Sequence, residues 1–247
     1  MSEAIRAGAR VAYFGGSFDP PHLGHLAVAR AARAALRLDV VLFAPVGAQP
    51  LKIQGSAASF ADRVQMTRLA IDSELGMSLS LADAPISASA PDDSPNYSPN
   101  YSVDTLTRLR AELPPGCMLF CLMGADSFFT LRLWHRASEV PFIAPLIVAS
   151  RPGQRLDDLN EALPPSLSVE PAPCAEQLAP EIGVRCYTIA DTAGNRAPFY
   201  LLPNLFVEIS ASDIRAQLRA TSLVKEQRKL LPPKVAEYIQ THGLYRE

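Results

Sequence analysis

Val11-Ala-Tyr-Phe-Gly-Gly-Ser-Phe-Asp-Pro-Pro-His-Leu-Gly-His25 is the stretch on which the fold of this chain turns. Its first four residues are a short apolar run halted at Gly15-Gly16, the pattern of a buried strand that ends in a tight turn. Leu23 to Leu38 is rich in alanine, leucine and arginine and predicts a helix. Asp39-Val-Val-Leu-Phe-Ala44, closed by Pro45, predicts a second buried strand. Strand, helix and strand in that order form the unit from which parallel sheets are built.

Further along, Phe60–Leu75, Val103–Leu113, Ser212–Arg219 and Pro232–Thr241 read as helices. Met77–Ala82, Cys117–Met123, Phe142–Ala149 and Leu205–Ile209 read as strands. Asp83 to Tyr101 turns to proline, serine, aspartate and asparagine and holds a two-copy repeat, Ser94-Pro-Asn-Tyr97 then Ser98-Pro-Asn-Tyr101, which is a loop feature. Leu156 to Pro203 carries many prolines and little periodicity. It is either a flexible insertion or an irregular edge of the same domain. No composition break divides the chain, so residues 1–247 read as one α/β domain with an irregular segment over about 154–203 and a helical part over 210–247. The fold class is a Rossmann-like open parallel sheet flanked by helices, with ligands at the carboxyl ends of its strands.

Bulk composition sets limits. With 48% hydrophobic and 19% charged residues the chain has material for a large core. A net charge of −2 gives no general drive toward nucleic acid or anionic membrane, so any phosphate chemistry must be local. The four cysteines, Cys117, Cys121, Cys174 and Cys186, match no paired zinc pattern and read as reduced structural thiols. The opening MSEAIRAGARVAYFGG has no apolar run long enough for a signal peptide or a membrane span, so the expected compartment is the cytoplasm. Nothing in the sequence sets the oligomeric state.

The string after the first strand has the chemistry of a polyphosphate site. Gly15 and Gly16 allow backbone to approach a ligand closely. Asp19 suits a helix N-cap and Pro20 the first helical position. His22 and His25, three apart at a helix start, share one face. A helix N-terminus adds unpaired N–H groups and a partial positive charge. The two histidines can also be read as metal ligands or surface residues, but a metal pair is more usual at i, i+4 with a carboxylate near, and none is obvious here.

Gly15 to His25 resembles the GGxFDPxHxGH signature of the nucleotidyltransferase superfamily, with His22-Leu-Gly-His25 as its HxGH tetrad. More narrowly the chain resembles the bacterial nicotinate-nucleotide adenylyltransferases. Ile209-Ser-Ala-Ser-Asp-Ile-Arg215 is similar to the second signature, ISSTxIR; Ser210 or Ser212 can cap the helix there, and Arg215 can reach phosphate oxygens from its first turns. The departures are small: Ser17 where threonine is common, and Ala211 where serine is frequent.

The resemblance implies adenylyl transfer from ATP to nicotinate mononucleotide, giving deamido-NAD and pyrophosphate. The acceptor phosphate is already an anion, so the reaction needs positioning and charge stabilisation more than a base. His22, His25 and Arg215 are the expected catalytic residues. Gly15, Gly16, Ser17, Phe18, Gly124, Asp126, Arg151, Ile209 and Ser210 join them as expected ATP contacts, with Asp126 in the GxDS-like Gly124-Ala-Asp-Ser127 and Arg151 in an RPG turn. Lys52, Tyr101, Ser102 and Trp134 are the expected acceptor contacts, Trp134 stacking on the pyridine. Tyr97 and Ser98 rival Tyr101 and Ser102 because of the repeat. Lys52 alone would read as a solvated lysine and Trp134 alone as packing. Mg²⁺ is expected to be bound mainly through ATP phosphates, with no protein metal ligands, and neither nucleic acid nor membrane as a partner. The competing functions are adenylyl transfer to nicotinamide mononucleotide or phosphopantetheine, a nucleotide-binding regulator without turnover, and an aminoacyl-tRNA synthetase. The short chain and the lack of a lysine-bearing KMSKS loop disfavour the synthetase.

Overall fold

A computed structural model of the chain describes residues 5–51, 55–85, 99–150, 159–174, 183–202, 209–220 and 230–246. The strands are β1 (Arg10–Gly16), β2 (Val40–Pro45), β3 (Met77–Leu79), β4 (Met118–Gly124), β5 (Leu146–Ala149), β6 (Leu167–Pro171), β7 (Arg185–Asp191) and β8 (Arg196–Leu202). The helices are α1 (Leu23–Leu36), α2 (Phe60–Ile71), α3 (Ser102–Glu112), α4 (Ala125–Phe129), α5 (Val140–Ile143), α6 (Leu159–Ala162), α7 (Ala211–Ala220) and α8 (Pro233–His242). The strands line up in the order β3-β2-β1-β4-β5-β8-β7-β6. The first five give 3-2-1-4-5, the doubly wound order, which reverses between β1 and β4. β1 runs parallel to β4 with Arg10 opposite Met118 and Phe14 opposite Leu122, and β5 runs parallel to both β4 and β8. In such sheets the carboxyl ends of the strands at the reversal receive ligands, and β1 ends on the Gly15–His25 string.

The chain divides into two compact units. The first, Met1–Phe14, Val28–Leu42 and Tyr101–Phe206, is built on apolar strands. Val11, Ala12, Phe120, Leu146, Ile147, Val148 and Phe199 are all fully buried, and each such side chain contributes about 1.5–3 kcal/mol where it is the size of valine or larger. The rings of Phe128 and Phe199 stack at 5.4 Å. The second unit comprises Gly15–Ala27, Phe43–Asn100 and Val207–Glu247. Its α2 and α8 bury Met66, Ala70 and Ile71 on one helix and Val235, Ala236 and Ile239 on the other. Ser59 caps α2 through Asp62 N–H, the Asp62 carboxylate accepts from the Tyr238 hydroxyl at 2.8 Å, and Lys234 pairs with Asp72.

Three expectations are corrected. The proline-bearing stretch is neither an insertion nor an irregular edge where it is described: β7 and β8 form a hairpin and β6 pairs antiparallel to β7. Pro198 sits opposite Thr188 inside that ladder, and such a proline in a strand is what hides the strand from a sequence reading. The strand at 142–149 shortens to β5 because Val140–Ile143 winds into α5 before Pro145. Cys174 and Cys186 are not reduced thiols but a disulfide with Cα atoms 5.2 Å apart, because β7 returns beside the segment leaving β6 and Ala172 N–H bonds Cys186 O. Their twelve-residue spacing matches no sequence signature, and the pair removes the cysteine ground for a reducing compartment. The strand expected over Leu205–Ile209 lies outside the described residues up to 208. Among the described residues, no helix is long and apolar enough to cross a membrane.

Candidate functional site

The second unit holds the Gly15–His25 string. Phe18 adopts φ 48°, tucks its ring beneath the loop at 2% exposure, and sets its edge against His25 at 4.9 Å. A Cβ on Gly16 would stand 3.2 Å from that ring, so glycine is what lets the loop close over Phe18. Gly16 O accepts Val46 N–H, and the Ser17 hydroxyl donates to Gln49 Oε1 at 2.7 Å. Gly15, Gly16 and Ser17 are half-buried.

Helix α1 begins later than its candidate cap implied. Pro20 precedes Pro21, and a residue before proline is kept from helical dihedrals, so the first helical residue is Leu23. Asp19 therefore does not cap α1, and His22 takes the position before it. The His22 and His25 rings stack at 3.7 Å between centroids. His25 Nδ1 accepts the His22 backbone N–H at 3.2 Å, the back-reaching half of a capping box made by an imidazole. An accepting Nδ1 puts the proton of the neutral ring on Nε2, which becomes a donor without the ring having to charge. Leu23 N–H is already taken by Leu230 O at 2.9 Å, so the helix end offers fewer open N–H groups than the sequence suggested.

Asp19 instead ties the unit together. Only 4% exposed, it accepts Ala57 N–H at 2.7 Å on Oδ2, and Ala58 N–H at 3.1 Å and the Tyr245 hydroxyl at 2.7 Å on Oδ1. Burial, then the Asp19 charge and this hydrogen bond, push the Tyr245 phenol far above its ordinary range, so it stays a donor. Arg215, in the first turns of α7, donates to Asp19 O at 2.7 Å and to Ser212 Oγ at 3.3 Å, with Asp19 Oδ2 at 3.8 Å. The two signatures, 196 residues apart, thus touch directly. Ile209 and Ser210 are half-buried ahead of α7, and Ser210 O accepts Ile214 N–H.

Arg63 was not expected from the sequence. It is 1% exposed, and its guanidinium donates to Ser17 O at 2.9 Å, Val46 O at 2.8 Å, Ala58 O at 3.3 Å and Gly47 O at 3.5 Å. It thereby pins the loops after β1 and β2 to the start of α2. Its signal was present: Arg63 shares the buried stripe of Met66, Thr67, Ala70 and Ile71, where a cation needs a reason. Asn100, the last asparagine of the repeat, is 8% exposed and clasps the loop after β2, exchanging bonds with Ala48 and donating to Ala84 O.

The remaining candidates belong to the first unit. Gly124 ends β4 and precedes α4, whose first turn carries an exposed Asp126. Tyr101 and Ser102 start α3 and are half-buried. Trp134, also half-buried, follows a 3₁₀ turn at Leu131–Leu133 and bonds Leu131 O. Its neighbour His135 lies against Tyr101 at 4.3 Å, and Arg136, at φ 49°, pairs with Glu139 and with Asp104 of α3. The tryptophan turn and the start of α3 are thus held side by side. Lys52, Arg151, Tyr97 and Ser98 lie outside the described residues. Among the described residues no group of three His, Cys, Asp or Glu could hold a metal ion.

The cytidylyltransferase-like family matches residues 13–217 of the chain. A protein of Gloeobacter violaceus named "Probable nicotinate-nucleotide adenylyltransferase" is 36% identical, over 96% of this chain and 97% of its own. One of the same name from Stenotrophomonas maltophilia is 37% identical over 95% and 96%. Among solved structures, Plasmodium falciparum nicotinic acid mononucleotide adenylyltransferase complexed with NaAD superposes with a TM-score of 0.66 at 17% identity, over 96% of this chain and 97% of that one. At that identity the likeness bears on the fold alone.

Proposed function

We infer, from the premise that the chain belongs to the cytidylyltransferase-like family and within it to the nicotinate-nucleotide adenylyltransferases, that it transfers the adenylyl group of ATP to nicotinate mononucleotide. The products are deamido-NAD and pyrophosphate, a step of NAD biosynthesis. The observation that supports this most is the direct bond from Arg215 to Asp19 O, which brings a guanidinium to the loop that carries His22 and His25. An acceptor phosphate oxygen forms a bond to the α-phosphorus as the bond from that phosphorus to the bridging oxygen of pyrophosphate breaks. No proton has to be taken from the nucleophile at neutral pH.

The second unit then has the work of charge. His25 donates from Nε2 to the polyphosphate, His22 stacks beneath it and holds its ring plane, and Arg215 takes part of the charge gathering on the departing pyrophosphate. Gly15, Gly16, Ser17 and Phe18 form the backbone cradle, with Ile209 and Ser210 at the start of α7. Gly124, Asp126 and Arg151 complete the ATP contacts in this reading. Trp134, Tyr101 and Ser102 receive the pyridine end of the acceptor, and Lys52 its phosphate. The Asp19 carboxylate already accepts from Ala57 N–H, Ala58 N–H and the Tyr245 hydroxyl, which supports the reading that Mg²⁺ would be held mainly through the ATP phosphates. When bound it neutralises phosphate charge. ATP supply places the enzyme in the cytoplasm.

The test offers purified protein MgATP with nicotinate mononucleotide, nicotinamide mononucleotide or phosphopantetheine, and reads pyrophosphate together with the chromatographed product. Deamido-NAD formed in strong preference is the expected result. Turnover with phosphopantetheine alone would overturn the roles of Trp134 and Tyr101, and ATP binding with no turnover would make the protein a nucleotide-binding regulator.

A further inference from the structure

Helix α8 ends at Gly243, whose φ of 64° turns the chain while its N–H bonds Ile239 O, and Leu244 N–H bonds the same carbonyl. Tyr245, two residues on, is again left-handed: its φ is 64°, a conformation uncommon for a non-glycine residue and one that persists only where its surroundings hold it. What holds it is burial of the ring to 8% exposure and the hydroxyl bond to Asp19 Oδ1. Phe18, immediately before Asp19, is the other non-glycine residue of this unit with positive φ among the described residues. The bond between Asp19 and Tyr245 therefore lies where two uncommon backbone conformations meet.

The same aspartate anchors Arg215. Its guanidinium rests on the Asp19 carbonyl at 2.7 Å, while the carboxylate oxygen it could pair with stands off at 3.8 Å. Arginine prefers a two-pronged bond to a carboxylate. Here three donors, two N–H groups and one phenol, already draw on the carboxylate's charge; the arginine sits on the carbonyl instead, and with 23% of its side chain exposed it can reach a ligand. Remove the phenol, and the carboxylate loses one of its three donors, so its negative charge acts more strongly on the guanidinium 3.8 Å from Oδ2. The carboxylate then competes with the polyphosphate for Arg215.

We propose that Tyr245 is a positioning residue for adenylyl transfer, its hydroxyl drawing on the Asp19 carboxylate's charge so that Arg215 is held on the Asp19 carbonyl and left available to phosphate. The proposal rests on the reading of Arg215 as a phosphate contact. It extends the site to a residue that neither signature contains.

The test compares Tyr245→Phe, Arg215→Ala and the double variant by kcat and by KM for MgATP and for acceptor. Tyr238→Phe is the control, since it loses a tyrosine–aspartate bond of the same kind between α8 and α2. Tyr245→Phe is expected to lower kcat about tenfold, the worth of one hydrogen bond to a charged group, with acceptor KM unchanged. It should add nothing in the Arg215→Ala background, and Tyr238→Phe should keep wild-type kcat. Replacement of Tyr245 by 4-aminophenylalanine, which keeps a donor at the ring's far end, should restore kcat. If Tyr245→Phe does not fold, that variant carries the test alone, and loss of its kcat overturns the proposal. A wild-type kcat for Tyr245→Phe beside an impaired Arg215→Ala would overturn the role of Tyr245 and leave that of Arg215. A wild-type kcat for Arg215→Ala would overturn the reading of Arg215 itself. Equal losses from Tyr245→Phe with and without Arg215 would make the bond purely structural.

Discussion

The loop after β1 and the turn around Trp134 are secured in different ways. The first is fixed from within: Phe18 lies under it, Arg63 holds its Ser17 carbonyl from a fully buried position, and Asp19 is bonded on both oxygens. The second is fixed from the surface, by exposed pairs of Arg136 with Glu139 and Asp104 and by one ring contact between Tyr101 and His135. Buried groups that lose a partner keep the full cost of desolvation, whereas exposed ion pairs are worth little. The contrast matches the chemistry: stabilising charge on a polyphosphate needs groups that do not reorganise, while receiving a flat pyridine ring needs mainly a surface.

That contrast makes graded predictions. Arg63→Met should be the most damaging change in either region, because Ser17, Val46 and Ala58 carbonyls lose a buried donor together. A loss of at least about 3 kcal/mol in urea unfolding is expected, at roughly 1–3 kcal/mol for each stranded group. A loss below about 1 kcal/mol would mean that the loop is held by something else. Trp134→Ala should raise acceptor KM about tenfold with little change in urea midpoint, as for one aromatic contact with a ligand. Unchanged acceptor affinity would return Trp134 to packing. Glu139→Gln should do least. The Arg136 hydrogen bond holds Glu139 below its usual carboxylate range, so its contribution is present above the ordinary value and lost as pH falls through the folded one. The variant should be slightly less stable than wild type at pH 7, with the gap shrinking as pH falls below the ordinary glutamate range; a gap that widened in acid would reverse that sign.

The sequence was most readable where one interaction dominated. The runs at β1, β2 and β4 are apolar throughout, as strands buried on both faces must be, and α1 shows its buried face as Leu26, Ala29, Ala32 and Leu36. The His22-Leu-Gly-His25 string announced its chemistry because the residues that make it are contiguous. Asp19, Arg63 and Tyr245 were harder to see because their partners are remote: Asp19 bonds residues 38 and 226 positions away. Read locally, Asp19 before proline is a helix cap. Only the Pro20-Pro21 pair, which delays α1, hinted otherwise. The β7–β8 hairpin was hidden by Pro198, although its turn at Asp191–Asn195, with Gly194 at φ 87° and three bonds to the Asp191 carboxylate, is ordinary hairpin chemistry.

Turnover of His25→Ala at saturating MgATP and nicotinate mononucleotide, with folding checked by urea midpoint, is the most direct measurement. His25 as a fixed donor to the polyphosphate predicts a kcat lower by about 10²–10³ in a protein that still folds. Wild-type turnover in the folded variant would contradict it, and would leave the histidine stack as a packing feature of α1.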